Sequence, residues 1–157
     1  MNKEKAAKIL TFYRTIDSAV HLNDRMIADM EDEYYSMSGG AGADGMPKAK
    51  GKTSNPVQTI VLNIPESVRE TIKALRAQNK TMVKLKAEIF KELNRLTYIE
   101  REIVISFYIE EQSWQQIKGI TNYSERQCKN IRQTALEKLV VYFRRNNTVA
   151  THDFGDL

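Results

Sequence analysis

Apolar residues recur every seven positions along residues 3 to 35. Ile9, Ile16, Asn23 and Met30 hold one line, and Phe12, Ala19 and Met26 interleave three residues later. This is the a/d stripe of a heptad repeat with one polar Asn at an a position, and it predicts a single long helix. Such an Asn fixes register or partner number at a cost in stability. The stripe is read as packing on a neighbour within the same chain, with dimerisation as the alternative. A second stripe runs through residues 57 to 96. Val61, Val68, Leu75, Met82, Ile89 and Leu96 repeat every seven residues, and Ile64, Ile72, Leu85 and Leu93 widen the face. Pro65 either opens this helix at its first turn or kinks a helix that begins near 57.

Between the stripes, residues 36 to 56 read SMSGGAGADGMPKAKGKTSNP, a flexible connector by composition. It lets the second helix fold back antiparallel on the first, and Asn79, in mid-helix near the stripe, faces Asn23 if register allows. Gly51-Lys52-Thr53 resembles the end of a phosphate-binding loop, but the required first Gly falls on Met46 and no strand pattern precedes it.

Residues 97 to 145 change character and divide into three short helical patterns. Thr97 and Glu100 form a capping box before Ile99, Ile103, Val104, Phe107 and Tyr108. Glu110-Glu111-Gln112 interrupts that pattern. Ser113 then caps a helix whose buried face is Trp114, Ile117 and Ile120, and Asn122 is placed to end it in a left-handed turn. Ser124 caps the third helix, whose buried face is Cys128, Ile131, Ala135, Leu136, Leu139 and Tyr142/Phe143. Residues 146 to 157 show no periodicity and read as a frayed tail. The expected architecture is all-α. A long antiparallel, coiled-coil-like helical hairpin (1–96) carries a three-helix head (97–145) with a helix-turn-helix, followed by a flexible tail (146–157).

Charge sharpens this picture. The chain carries a net charge of +4, with a pI near 9.1. Residues 24 to 33 hold five acids against Arg25, whereas residues 113 to 145 hold seven Lys/Arg against Glu125 and Glu137. The connector adds Lys48, Lys50 and Lys52. Basic charge at one end suits a protein that touches nucleic acid there.

Two short helices, a three-residue turn, and long polar side chains opening the second helix together describe a helix-turn-helix. A helix fits the DNA major groove. Arg reads guanine, and Asn or Gln reads adenine, through paired hydrogen bonds. The candidate DNA-binding residues are Ser124, Glu125, Arg126, Gln127, Lys129, Asn130, Arg132 and Lys118. Arg126 and Asn130 are the candidates for base edges, with Lys129, Arg132 and Lys118 for phosphates. Lys138, Arg144 and Arg145 serve either phosphates or the dipole at their own helix end. Lys118 occupies the position where a small Ala usually lies against the third helix, so it either snorkels outward or loosens the packing.

The run YSERQCKN-I-RQTALEKL resembles region 4 of sigma factors: a hydroxyl cap at Ser124, a central Ile131, and the Ala135-Leu136-Glu137-Lys138-Leu139 ending. The resemblance places the base-reading residues of that family on Glu125, Arg126 and Asn130. Sigma has Arg then Glu where this chain has Glu125 then Arg126, and Gln where it has Asn130, so the sigma promoter sequence does not carry over. The whole chain is similar to small phage-encoded sigma-like late-gene regulators of the RinA and ArpU type. In that group an SGG…GMP…SNPV segment separates the helices, as Ser38-Gly39-Gly40, Gly45-Met46-Pro47 and Ser54-Asn55-Pro56-Val57 do here. The resemblance implies contact with RNA polymerase and activation of late genes.

The single Cys128 cannot form an internal disulfide, and no Cys/His grouping has metal spacing. His21 and His152 are isolated. No catalytic constellation and no cofactor motif emerges, so an enzyme is not expected. The N-terminus lacks an apolar signal region and no run reaches about 18 apolar residues, so a cytoplasmic protein with no membrane partner is expected. Two rivals to the regulator stand: a DNA-packaging protein of the small-terminase kind, and a polymerase-binding interaction protein.

Overall fold

The computed structural model describes residues 1–38 and 64–155. The described residues are helical in class, with no strand. Helix α1 spans Lys3–Ser38 and α2 spans Glu66–Leu93. Helix α3, Tyr98–Val104, continues into a π-helical turn, Ile105–Ile109. Then follow α4, Trp114–Thr121, α5, Glu125–Arg145, and α6, Asn147–Thr151. None of these helices is long and apolar enough to cross a membrane.

Helix α1 runs to Ser38, three residues beyond the expected end. Pro65 opens α2: its carbonyl accepts from Val68 and Arg69 N–H, at 3.0 and 3.1 Å. A residue without its own N–H loses nothing there. The rest of the expected connector, its Gly51-Lys52-Thr53 and its lysines lie outside the described residues. So do the start of the second stripe at Val61 and the last two residues.

The chain divides into two compact units. The larger comprises residues 1–19 and 81–157. Its core gathers Ala6, Ile9 and Leu10 of α1, Leu85, Ile89 and Leu93 of α2, Val104 of α3, and Ala135, Leu136, Leu139 and Phe143 of α5. The head is therefore not an independent body. It shares one core with the start of α1 and the end of α2, which supplies apolar area that fewer than fifty residues could not bury alone. Lys86 of α2 binds Asp17 of α1 at 2.6 Å.

The segment after Arg145 departs from the expected frayed tail. Asn146 caps α6, its Oδ1 accepting from Val149 N at 3.2 Å. The same side chain donates through Nδ2 to Glu88 at 2.8 Å and Glu92 at 2.9 Å. Val149 and Phe154 are buried in the main core, and Phe154 meets Phe12 and His152 edge-on while His152 is tilted against Phe12. A five-residue helix is too short to show a period, and two apolar residues five apart make no stripe.

The smaller unit comprises residues 20–80. Here the register allows Asn23 to meet Asn79: Asn23 Nδ2 donates to Asn79 Oδ1 at 2.8 Å and to Gln78 Oε1 at 3.3 Å. Asn79 Nδ2 in turn donates to Asp24 at 2.8 Å, and Arg76 pairs with Glu31 at 2.6 Å. Among the described residues of this unit, the buried apolar ones are Ile27, Ile64 and Ile72. Met26, expected in the stripe, is exposed, and Ile27 takes its place. A straight helix turns every 3.6 residues rather than 3.5, so a stripe read by sevens drifts by one position.

Candidate nucleic-acid interface

The capping chemistry of the head follows the residue types that flank each helix. The side chain of Ser113 accepts from Gln116 N, and the side chain of Gln116 accepts from Ser113 N at 2.8 Å. Ser124 and Gln127 repeat this reciprocal box at the start of α5, with Gln127 Oε1 accepting from Ser124 N at 2.9 Å. Between them Asn122 takes the left-handed conformation, φ 59°, and its N–H donates to Lys118 O. Asn accepts that backbone at lower cost than most residues. The connection from α4 to α5 is thus residues 122–124, as the spacing implied.

Helix α5 sits on a small apolar cluster of Ile103, Ile117 and Cys128, with Ile99, Phe107, Trp114 and Ile131 packed against it. Cys128 is fully buried. Its sulfur lies 3.5 Å from Thr121 Oγ1, so it is a core residue. Ile120, expected on the buried face of α4, is 48 % exposed instead. Ile117 and Trp114 make the contact, and the helix ends one residue after Ile120. Trp114 stacks on Phe107 with ring centroids 4.5 Å apart. The π-helical turn sets Phe107 there. Its extra residue per turn rotates the helix end before Glu111, at φ 54°, breaks it.

These packings sort the candidate residues. Gln127 is engaged in the cap and is not free to reach a base. Glu125 pairs with Lys129 at 2.6 Å, and the Lys129 ammonium lies 5.5 Å from the Trp114 ring. The Arg132 guanidinium is stacked 4.6 Å from the Phe107 ring and 5.0 Å from Trp114, with its Nε buried. It serves the aromatic pair rather than standing out in solvent. Arg126 and Asn130 are exposed and have no side-chain partner among the described residues. Gln133 is exposed on the same face, three residues after Asn130, and belongs with them. Its i+7 spacing from Arg126 was the available signal. Tyr123, 39 % exposed, stands in the turn beside the start of α5. Lys118 is exposed, in keeping with the outward choice.

Behind this face, Glu100 and Lys138 tie α3 to α5 at 2.6 Å. Glu100 is 6 % exposed and also accepts from Thr97 N at 3.1 Å. Burial pulls its carboxyl upward. The Lys138 hydrogen bond, the two Thr97 hydrogen bonds and the Lys138 charge together outweigh burial and hold it below the ordinary carboxylate value. Lys138 is raised in turn, chiefly by its hydrogen bond to Glu100. Lys138 therefore serves neither of its two expected roles. Arg144 donates to Met1 O at 3.2 Å, and Arg145 is exposed.

No group of His, Cys, Asp and Glu among the described residues has metal-binding geometry. What α5 offers is a polar, cation-bearing face at the capped start of a well-supported helix. No family model, no curated protein and no solved structure matches the chain, so the reading of this face rests on its own residues.

Proposed function

We propose that the chain is a sequence-specific DNA-binding transcription regulator. In this reading α4 and α5 are the helix-turn-helix, the long helices form its antiparallel hairpin handle, and α5 enters the major groove. The carrying observation is the exposed Arg126, Asn130 and Gln133 face of α5, beginning at its Ser124 cap. Arg126 reads a guanine and Asn130 an adenine, because each can make two hydrogen bonds to its base. Lys118, one turn before α5 and exposed, engages a phosphate. The exposed cations and the polar row supply the charge that a phosphate needs and the paired donors that a base edge needs.

One such head is short of contacts. A good bidentate pair discriminates by about 1–3 kcal/mol, and specific binding exceeds non-specific binding by about 4–10 kcal/mol. A second copy or RNA polymerase supplies the remainder, and the sigma-like run in α5 favours polymerase. Activation of late phage genes is the role this resemblance suggests.

Mapping the chain along the genome that it occupies, with polymerase followed in parallel, tests the reading. Discrete sites shared with polymerase are expected. Uniform coating of DNA, or sites without polymerase, would contradict it.

A further inference from the structure

Within the larger unit, α2 turns an apolar row away from its core. Val83, Ala87 and Phe90 follow the i, i+4, i+7 spacing of one helix face. Val83 is 56 % exposed and Phe90 is 49 % exposed, and Ala87 between them is exposed as well. With Lys86 and with Tyr13 of α1, these three line an open, largely apolar hollow of about 340 Å³. Residues 83, 86, 87 and 90 stand at i, i+3, i+4 and i+7. Four residues so spaced are the corners of the hole into which a facing helix inserts one side chain. Ala87, in the middle, is too small to fill it.

The border of the hollow is basic. Lys84 and Lys91, seven residues apart, run along one edge of the apolar row, and Lys86 stands on the other edge. Lys84 has no ion-pair partner among the described residues. Lys91 lies 3.8 Å from Glu88, which also accepts from Asn146 at 2.8 Å. Asp17 of α1 is bound to Lys86 at 2.6 Å, and the Lys86 ammonium lies 5.4 Å from the Tyr13 ring.

We propose that this hollow docks an acidic amphipathic helix of another protein. One apolar side chain of that helix enters between Val83 and Phe90, and its apolar neighbours follow the row. Asp or Glu beside them meets Lys84 and Lys91. A four-cornered hole suits a helical side chain better than a lipid surface, which offers no single knob. A second copy laid with this same face inward sets Lys84 and Lys91 against lysines, so charge rejects it. Residues 39–63 hold Lys48, Lys50 and Lys52 against Asp44, so the chain's own connector has the wrong sign as well. The site uses no residue of α5 and stands whether or not α5 reads DNA.

Fluorescence anisotropy on the full-length protein, without DNA, tests it. The first probe is a labelled synthetic helix with Leu along one face and Glu on both flanks. A second probe has Lys for every Glu, and a third has Ser for every Leu. The wild type should bind the first probe saturably, with a Kd below about 0.1 mM, and neither of the others. Lys84→Glu with Lys91→Glu should bind the first probe about tenfold more weakly or worse and should gain the second. That gain also shows that the variant is folded. Phe90→Ser keeps every charge and should lose the first probe to a similar degree. Phosphatidylserine vesicles should not distinguish Phe90→Ser from the wild type. Failure to bind the first probe, equal binding of the third, or variants that bind like the wild type would each overturn the proposal. So would vesicle binding, or a wild-type oligomer, that Phe90→Ser abolishes, since the face would then belong to a membrane or to a second copy.

Discussion

At the scale of single residues, neighbouring cations on α5 have different duties. Arg126 stands free, Lys129 is drawn to Glu125, and Arg132 lies on Phe107 and Trp114. Arg126→Ala should therefore lower discrimination at one base pair by about 1–3 kcal/mol while leaving thermal stability unchanged. Lys118→Ala should weaken binding to all duplexes alike and reduce the salt slope by about one. Arg132→Ala should behave differently from both. It uncovers an aromatic pair and should lower the melting temperature and shift the emission of Trp114, the chain's single tryptophan, before DNA is added. A titration of each variant against salt, beside a melting curve, separates the three. The sequence marked all three as candidate DNA contacts because helix position alone was legible. The Glu125–Lys129 pair has the i,i+4 spacing of one helix face and was legible, whereas the capture of Arg132 by Phe107 and Trp114 depends on how three separate elements meet, which no local pattern announces.

At the scale of elements, caps and turns were the most legible features. Thr97, Ser113, Ser124 and Asn122 each sit where the residue type placed them, because capping is a local hydrogen-bond problem. Replacing Asn122 by Ala should destabilise the protein by about 1 kcal/mol, whereas Gly should be tolerated, as the left-handed backbone requires. Denaturant melts of the two variants check this. The π-helical turn and α6 were not legible. The first goes with the stacking of Phe107 on Trp114, and the second with Val149, Phe154 and the two Glu partners of Asn146, which are distant in sequence. The heptad stripes foretold two long helices. Their drift with helical pitch hid which of Met26 and Ile27 is buried.

At the scale of the whole molecule, the larger unit joins the start of α1 and the end of α2 to α3 and α5 through one core, and the Glu100–Lys138 pair belongs to the same unit. The sign of its pH dependence follows from the directions of the two shifts. Glu100 is held below its ordinary value of 4.5, so its contribution is present above that pH and fades as pH falls through the lowered value. Lys138 is raised above 10.5, so its contribution is present below that pH and fades as pH rises through the raised value. Between these limits the pair is intact. Glu100→Gln should flatten the acid limb of a stability–pH curve, measured by urea melts at several pH values, and leave DNA preference unaltered.

The most direct measurement is selection from a pool of randomised duplexes with the wild-type chain and Arg126→Ala in parallel. A defined motif should emerge for the wild type, and the variant should lose preference at one position while the other positions keep theirs. If no motif emerges with polymerase present, or if the two proteins select identical motifs, the leading face of α5 does not read bases.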